Sequence, residues 1–245
     1  MTKLANYRQR RAIALVIIFT AVVSGLVGMG ASSWSDVVNL WQEFAQYDLN
    51  IAGTLRTDEL ALELLDKLEV KGRAPKTGYS RSLFSSAWQT LGGCSVRNII
   101  LKRDLTEVVV DDNCRVVSGQ LHDQYTGQDI AFRYGATTSQ EVQIDHIVAV
   151  SDAWQKGAQS WSGDKRYQFY NDPINLVAVG REVNQAKVDQ DAASWLPPNK
   201  AFRCTYVSRQ IEVKSKYGLW VTAAEKSAMQ RVLQRCPEVN ADTPR

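Results

Sequence analysis

"EVQIDHIVAV", residues 141–150, sets an acid and an imidazole side by side, Asp145 and His146, behind alternating apolar and polar residues. Val142 and Ile144 flank Gln143, which is the period of a strand with one buried face. Neighbouring residues on a strand point to opposite faces, so Asp145 and His146 can address one group together only where the strand ends or bends. The chain has one other histidine, His122 in "QLHDQYTG", which reads as structural. The stretch is therefore either a strand end with two solvated polar residues or half of a metal-dependent active site. The surrounding chain has to decide.

Downstream the period changes. "SDAWQKGAQ", "DKRYQFYN" and "REVNQAKVD" read as helices, and "KAFRCTYVSRQIEVKSKYG" carries Phe202, Tyr206 and Ile211 at helical spacing before stopping at Gly218. "TAAE", residues 222–225, has the form of a capping box and opens a last helix ending near Cys236. Upstream, "TEVVVDDNCRVVSG" predicts a hairpin turning near Asp112-Asn113, and "DIAFRY" a further strand. Strands first and helices after predict an α+β fold. The Pro/Gly-containing basic loop "KGRAPKTGYS" opens the main domain, placed at 71–237, with a polar tail at 238–245. Before it, residues 32–70 read as a helical spacer. One helix there carries Val37, Val38, Trp41, Phe44 and Tyr47, and a second carries Leu60, Leu64, Leu65 and Leu68 behind a Thr57 or Asp58 cap.

The formal charge of +3 is not a nucleic-acid footprint. Lys3, Arg8, Arg10 and Arg11 supply four of the 29 basic residues, and the other 25 face 26 acidic ones. Those four charges precede "AIALVIIFTAVVSGLVGMGA", residues 12–31, twenty residues without a charge. A basic flank and an apolar run long enough to span a bilayer predict an N-terminal transmembrane or signal helix. Its length favours an anchor with a cytoplasmic N-terminus, while Gly28, Gly30 and Ala31 leave cleavage open. Either route places the rest of the chain in the cell envelope or outside the cell. The cysteines agree: Cys94, Cys114, Cys204 and Cys236 all follow the apolar segment, and none forms a CxxC pair. Two disulfides are expected, with Cys94–Cys114 and Cys204–Cys236 favoured among three connectivities because each joins neighbouring elements.

Two asparagines complete the chemistry around Asp145 and His146: Asn175 in "NDPINLVAV" and Asn184 in "REVNQAKVD". Hydrolysing a phosphodiester needs a base to activate water and a cation to stabilise the charged phosphorus centre and leaving oxygen. A neutral imidazole serves as base near pH 7, and a carboxylate with an amide oxygen suits a hard cation such as Mg²⁺.

"IDHIV", then "NLVAV", then "VNQAK" resembles the three-part signature of the HNH endonucleases, with nine residues from Asn175 to Asn184 as that family has. The wider context is similar to its exported branch, related to the C-terminal domain of GmrSD-type restriction enzymes. The likeness continues upstream through "KGRAPKTGYSR", "GCSVRNIILKRDL" and "YTG", covering about residues 70–237. The resemblance implies a ββα-metal core embedded in the larger mixed domain, with His146 as general base and Asp145 and Asn184 holding one divalent cation, Mg²⁺ or Mn²⁺. Asn175 would orient the loop and hold the backbone at His146. The long gap between His146 and Asn175 fits this branch, whereas the zinc-binding cysteine pairs of many relatives are missing, so packing and disulfides must hold the scaffold. Lys187, three residues beyond Asn184, is a candidate phosphate contact or a solvated helix charge. Arg166 is a second candidate, or a structural ion-pair partner. Trp154, Trp161 and Trp195 read as core.

The expectation is thus an exported or membrane-anchored nuclease acting on DNA, RNA being the alternative substrate, with little sequence preference. A non-catalytic envelope protein binding nucleic acid or metal on the same scaffold is the competing reading. A serine hydrolase is weaker, as there is no GxSxG stretch.

Overall fold

Residues 57–236 are described in the computed structural model of the chain. The apolar segment 12–31, the helix expected within 32–56 and the tail 238–245 lie outside them. Among the described residues no helix is long and apolar enough to cross a membrane.

Helix α1 (Thr57–Lys67) buries Ala61 and Leu65, with Leu68 just past its end, in one cluster with Tyr206, Val207 and Ile211. The compact unit therefore begins at Thr57, and this helix is not part of a spacer running to residue 70. A loop's composition is visible in sequence. Which core a leucine stripe docks into is not.

Strands β1 (Thr90–Leu91) and β2 (Cys94–Ser95) pair antiparallel and lead into α2 (Val96–Asp104), capped by Ser95 accepting from the Asn98 N–H. A three-stranded antiparallel sheet follows, made of β3 (Leu105–Val110), β4 (Val116–His122) and β5 (Asp129–Arg133). The expected hairpin is β3–β4, and Asp111 closes its turn by accepting from the Asn113 and Arg115 N–H groups. Cys94 is bonded to Cys114 beside this turn, and Cys204 to Cys236 across the C-terminal helices.

The stretch that opened the sequence is β6 (Val142–His146). After α3 (Val150–Gln155) and α4 (Gly163–Asn171) it finds its partner, β7 (Leu176–Gly180), and α5 (Arg181–Lys187) follows at once. The pairing is antiparallel, with Asp145 opposite Val177 and His146 opposite Leu176. All five residues of β7 are buried. Leu176 and Ala178 pack with Val142, Ile144, Ile100 and Leu101, whereas Val177 and Val179 face Tyr206 and Ile211 on the long helix α6 (Arg203–Tyr217). A strand covered on both faces has to be apolar throughout, which accounts for the unbroken run "LVAVG".

Helix signals at the C-terminal end hold as read. Gly218 ends α6 in the left-handed region at φ 67°, its N–H donating to the Lys214 and Ser215 carbonyls. Thr222 and Glu225 form a reciprocal capping box on α7 (Ala223–Leu233). The "SDAWQKGAQ" stretch differs: α3 stops after six residues, and Gly157, at φ 130°, turns the chain into a separate short turn.

Six buried or half-buried charges tie these segments together. The Lys156 ammonium lies 2.7 Å from Asp152, 2.7 Å from Asp191 and 2.6 Å from Glu225. Lys214 reaches Asp152 and Glu225 at 3.2 and 3.0 Å, and Arg73 reaches Asp152 and Asp191 at 3.2 and 2.7 Å. Replacing Lys156 by Met leaves three carboxylates with two cations, and should lower the unfolding free energy by roughly 3–5 kcal/mol. The measurement is the urea midpoint at unchanged slope. A midpoint equal to wild type would show that the network adds nothing to stability.

Candidate active site

Strand β6 ends at His146, so Asp145 and His146 can serve one space. Both line a cavity of about 180 Å³, together with Ile144, Ala149, Val150, Asn184, Gln185, Val188 and Arg81. The turn after the strand is pinned from two sides. Asn175, fully buried, accepts the Val148 N–H on Oδ1 at 2.8 Å and donates from Nδ2 to the Val148 carbonyl at 3.3 Å, while its own carbonyl accepts from Ile147. Gln210 on α6 donates to the Ile147 carbonyl at 3.0 Å. Asn175 thus holds the residues just beyond His146, and it does so from inside the protein, away from any substrate.

His146 is buried against two aromatic rings, stacked on Trp88 at 5.8 Å and tilted against Tyr170 at 4.6 Å. Its Nε2 lies 2.8 Å from the Tyr170 carbonyl. A carbonyl can only accept, so Nε2 carries the proton and Nδ1 keeps a lone pair. Burial pushes the imidazole pKa down to about 3, helped by the Arg81 charge and then by Lys187, against the opposing pull of the Tyr170 carbonyl. The ring is neutral and single in tautomer.

Asp145 is also buried, and its carboxylate is occupied from within. It accepts from the Tyr125 hydroxyl at 2.7 Å and pairs with the Lys187 ammonium at 2.8 Å. Burial first, and the Asp145 charge second, hold the Tyr125 phenol well above its usual pKa, so it stays a donor. Lys187 has no exposed surface, and it also donates to the His146 carbonyl at 2.8 Å. This corrects the expected phosphate contact: the side chain points into the fold, where its charge makes burying Asp145 tolerable. Arg166 is likewise spent elsewhere, on the carbonyls of Trp161, Ala158 and Leu83, and among the described residues pairs with no carboxylate. His122 is a surface residue bonded across β4–β5 to Asp129 at 2.7 Å. Trp154 is core as read, and Trp161 and Trp195 pack half-buried against core clusters.

Among the described residues no group of three or more His, Cys, Asp and Glu side chains is placed to hold a metal ion. What the cavity offers is smaller and harder in character. Asp145 uses only part of its four lone-pair directions, and Asn184 donates from Nδ2 to Gln143 at 2.7 Å, leaving its amide oxygen as an acceptor. One carboxylate and one amide oxygen on a shared cavity fit a hard cation that keeps most of its waters, and do not fit zinc.

Five residues here escaped the sequence reading: Arg81, Trp88, Tyr125, Tyr170 and Gln210. Tyr170 acts through its carbonyl, which no residue type announces. Arg81 belongs to "KGRAPKTGYSR", so the resemblance marked its segment without marking its role.

The family model described as GmrSD restriction endonucleases, C-terminal domain, matches residues 96–232. The chain belongs to this family. Over 179 residues it is 44% identical to an uncharacterized secreted protein of Arthroderma benhamiae, an overlap spanning 72% of this chain and 84% of that one. No solved structure matches.

The depressed His146 pKa makes stability depend on pH with a definite sign. The unfolded imidazole titrates near 6.5 and the folded one near 3, so between those values the unfolded chain binds more protons. Stability therefore falls as pH drops from 6.5. Urea unfolding of wild type at pH 6.5 and at about pH 5.3, roughly a unit above the ordinary carboxylate values, should show this loss. His146→Gln should lose clearly less over the same interval, and an equal loss in both proteins would refute the assignment.

Proposed function

We propose that this chain is an exported, metal-dependent endonuclease that hydrolyses phosphodiester bonds of DNA with little sequence preference. The observation that carries the reading is a neutral imidazole with a fixed tautomer on the same cavity as Asp145 and Asn184. Membership of a restriction-endonuclease domain family supports it, and β6, β7 and α5 have the strand–strand–helix order of a ββα-metal core. Export is supported by the two disulfides and by the secreted relative.

In this reading His146 takes a proton from water on Nδ1 while its Nε2–H stays on the Tyr170 carbonyl. Burial keeps the ring in its base form at any physiological pH. An anionic phosphodiester beside it then raises its proton affinity at the moment the water is deprotonated. Asn175 fixes the turn that sets the ring's height in the cavity. Asp145 and Asn184 would hold one Mg²⁺ or Mn²⁺, which supplies charge stabilisation to the phosphate and the departing oxygen. Attack in line leaves 5′-phosphate and 3′-hydroxyl ends. Phosphate contacts carry no base information, which is the reason for the low sequence preference.

The test is nicking of supercoiled plasmid by the oxidised protein, with Mg²⁺ or with EDTA, beside His146→Ala. Nicking should require the cation and fall at least about 100-fold in the mutant. Retained activity in a well-folded mutant would sink the mechanism. Failure of wild type on DNA, and on RNA with Mn²⁺, would leave a binding protein on this scaffold.

A further inference from the structure

With Lys187 and Arg166 both committed inside the fold, the cavity needs another cation to hold an anionic substrate. We infer that Arg81 is that residue and binds the phosphate on which His146 acts, an inference that rests on the phosphodiester reading. Arg81 is the one basic side chain among the residues lining the cavity, where it stands with Asp145, His146 and Asn184. It is exposed, and among the described residues no carboxylate pairs with it.

Its position is built. The guanidinium lies 5.2 Å from the centre of the Tyr170 ring, and Nη2 donates to the Tyr170 hydroxyl at 3.3 Å. The same residue accepts the His146 proton on its carbonyl. Tyr170 therefore sets the spacing between base and cation from one backbone position. On either side of Arg81 the chain is rooted in the core: Tyr79 meets Trp154 edge-on at 6.0 Å, and Phe84 lies between Trp154 and Phe169 at 6.3 and 6.0 Å. A stacked guanidinium keeps most of its five N–H donors free, and its planar fork matches two phosphate oxygens. Arg81 also precedes the residues matched by the family model, so the cation enters from outside the strand–strand–helix unit that carries the other groups.

The experiment uses the full chain in EDTA, where no cleavage competes, and measures anisotropy of a fluorescein-labelled 12-nucleotide DNA over a range of salt. Arg81→Met should weaken binding roughly 10- to 100-fold and reduce the salt slope by about one. Arg81→Lys should restore the slope but only part of the affinity, since charge returns without the fork. Arg115→Met is the matched control, as Arg115 is also stacked on a tyrosine, Tyr134 at 4.6 Å, but lies on the β3–β4 turn. Its binding should equal wild type. Wild-type affinity in Arg81→Met, an equal loss in Arg115→Met, or no binding by wild type at low salt would each overturn the assignment. Binding through Arg81 without plasmid nicking would reject the nuclease and keep the phosphate site, whereas nicking indifferent to Arg81 would do the reverse.

Discussion

Lys156 has no contact with water, and five segments of the chain converge on its ammonium or on the carboxylates it pairs with. Asp152 lies on α3, one turn before Lys156, which follows that helix's last residue; Asp191 follows α5, and Glu225 opens α7. Arg73 brings in the loop before the strands, and Lys214 brings in α6. Three positive and three negative groups cancel, so no net charge is buried. The titration behaviour follows: burial pushes the Asp191 carboxyl up, but Lys156 and Arg73 outweigh it and its pKa falls. For Lys214, burial is outweighed by Glu225 and Asp152, which hold the ammonium above its ordinary range. Ion pairs of this kind add little net stability over an apolar core but are costly to leave half-made. Their effect is to permit one arrangement of these five segments.

The same physics recurs at the cavity on a smaller scale. A buried carboxylate beside a buried neutral imidazole makes opposed demands, because the negative charge of Asp145 itself favours a protonated His146. Lys187 resolves this from the inner side. It neutralises Asp145 and, after burial and Arg81, lowers the proton affinity of His146. Lys187 makes both contributions from a place with no exposed surface.

These placements mark the limit of what the sequence could tell. The order and spacing of Asp145-His146, Asn175 and Asn184 were legible through the family resemblance, and the fold brings Asp145, His146 and Asn184 to one cavity with Asn175 behind it. The Gly218 stop and the Thr222–Glu225 box were legible because they are local. Lys187 was not, since a charge three residues past Asn184 looks the same in sequence whether its side chain snorkels outward or turns in to an acid on a neighbouring strand. Arg166 failed for a related reason: its partners are backbone carbonyls, which leave no trace in residue type. The 71–80 loop was read as a boundary from its glycines and proline, yet its Arg73 is a member of the central charge network, and α1 before it is core.

The two disulfides do not reach the site. One closes the β3–β4 turn onto β2, and the other ties the start of α6 to the end of α7. Between them the cavity is assembled from Arg81, β6, the Asn175 turn and α5, with no covalent link among these parts. The sequence reading expected packing and disulfides to replace the absent zinc-binding cysteines. The structure adds a third holder, since the Lys156 network fastens α3, the helix that begins four residues after His146. Because its charges cancel one another, the network fixes the helices it joins and leaves the field in the cavity to Asp145, Lys187 and Arg81.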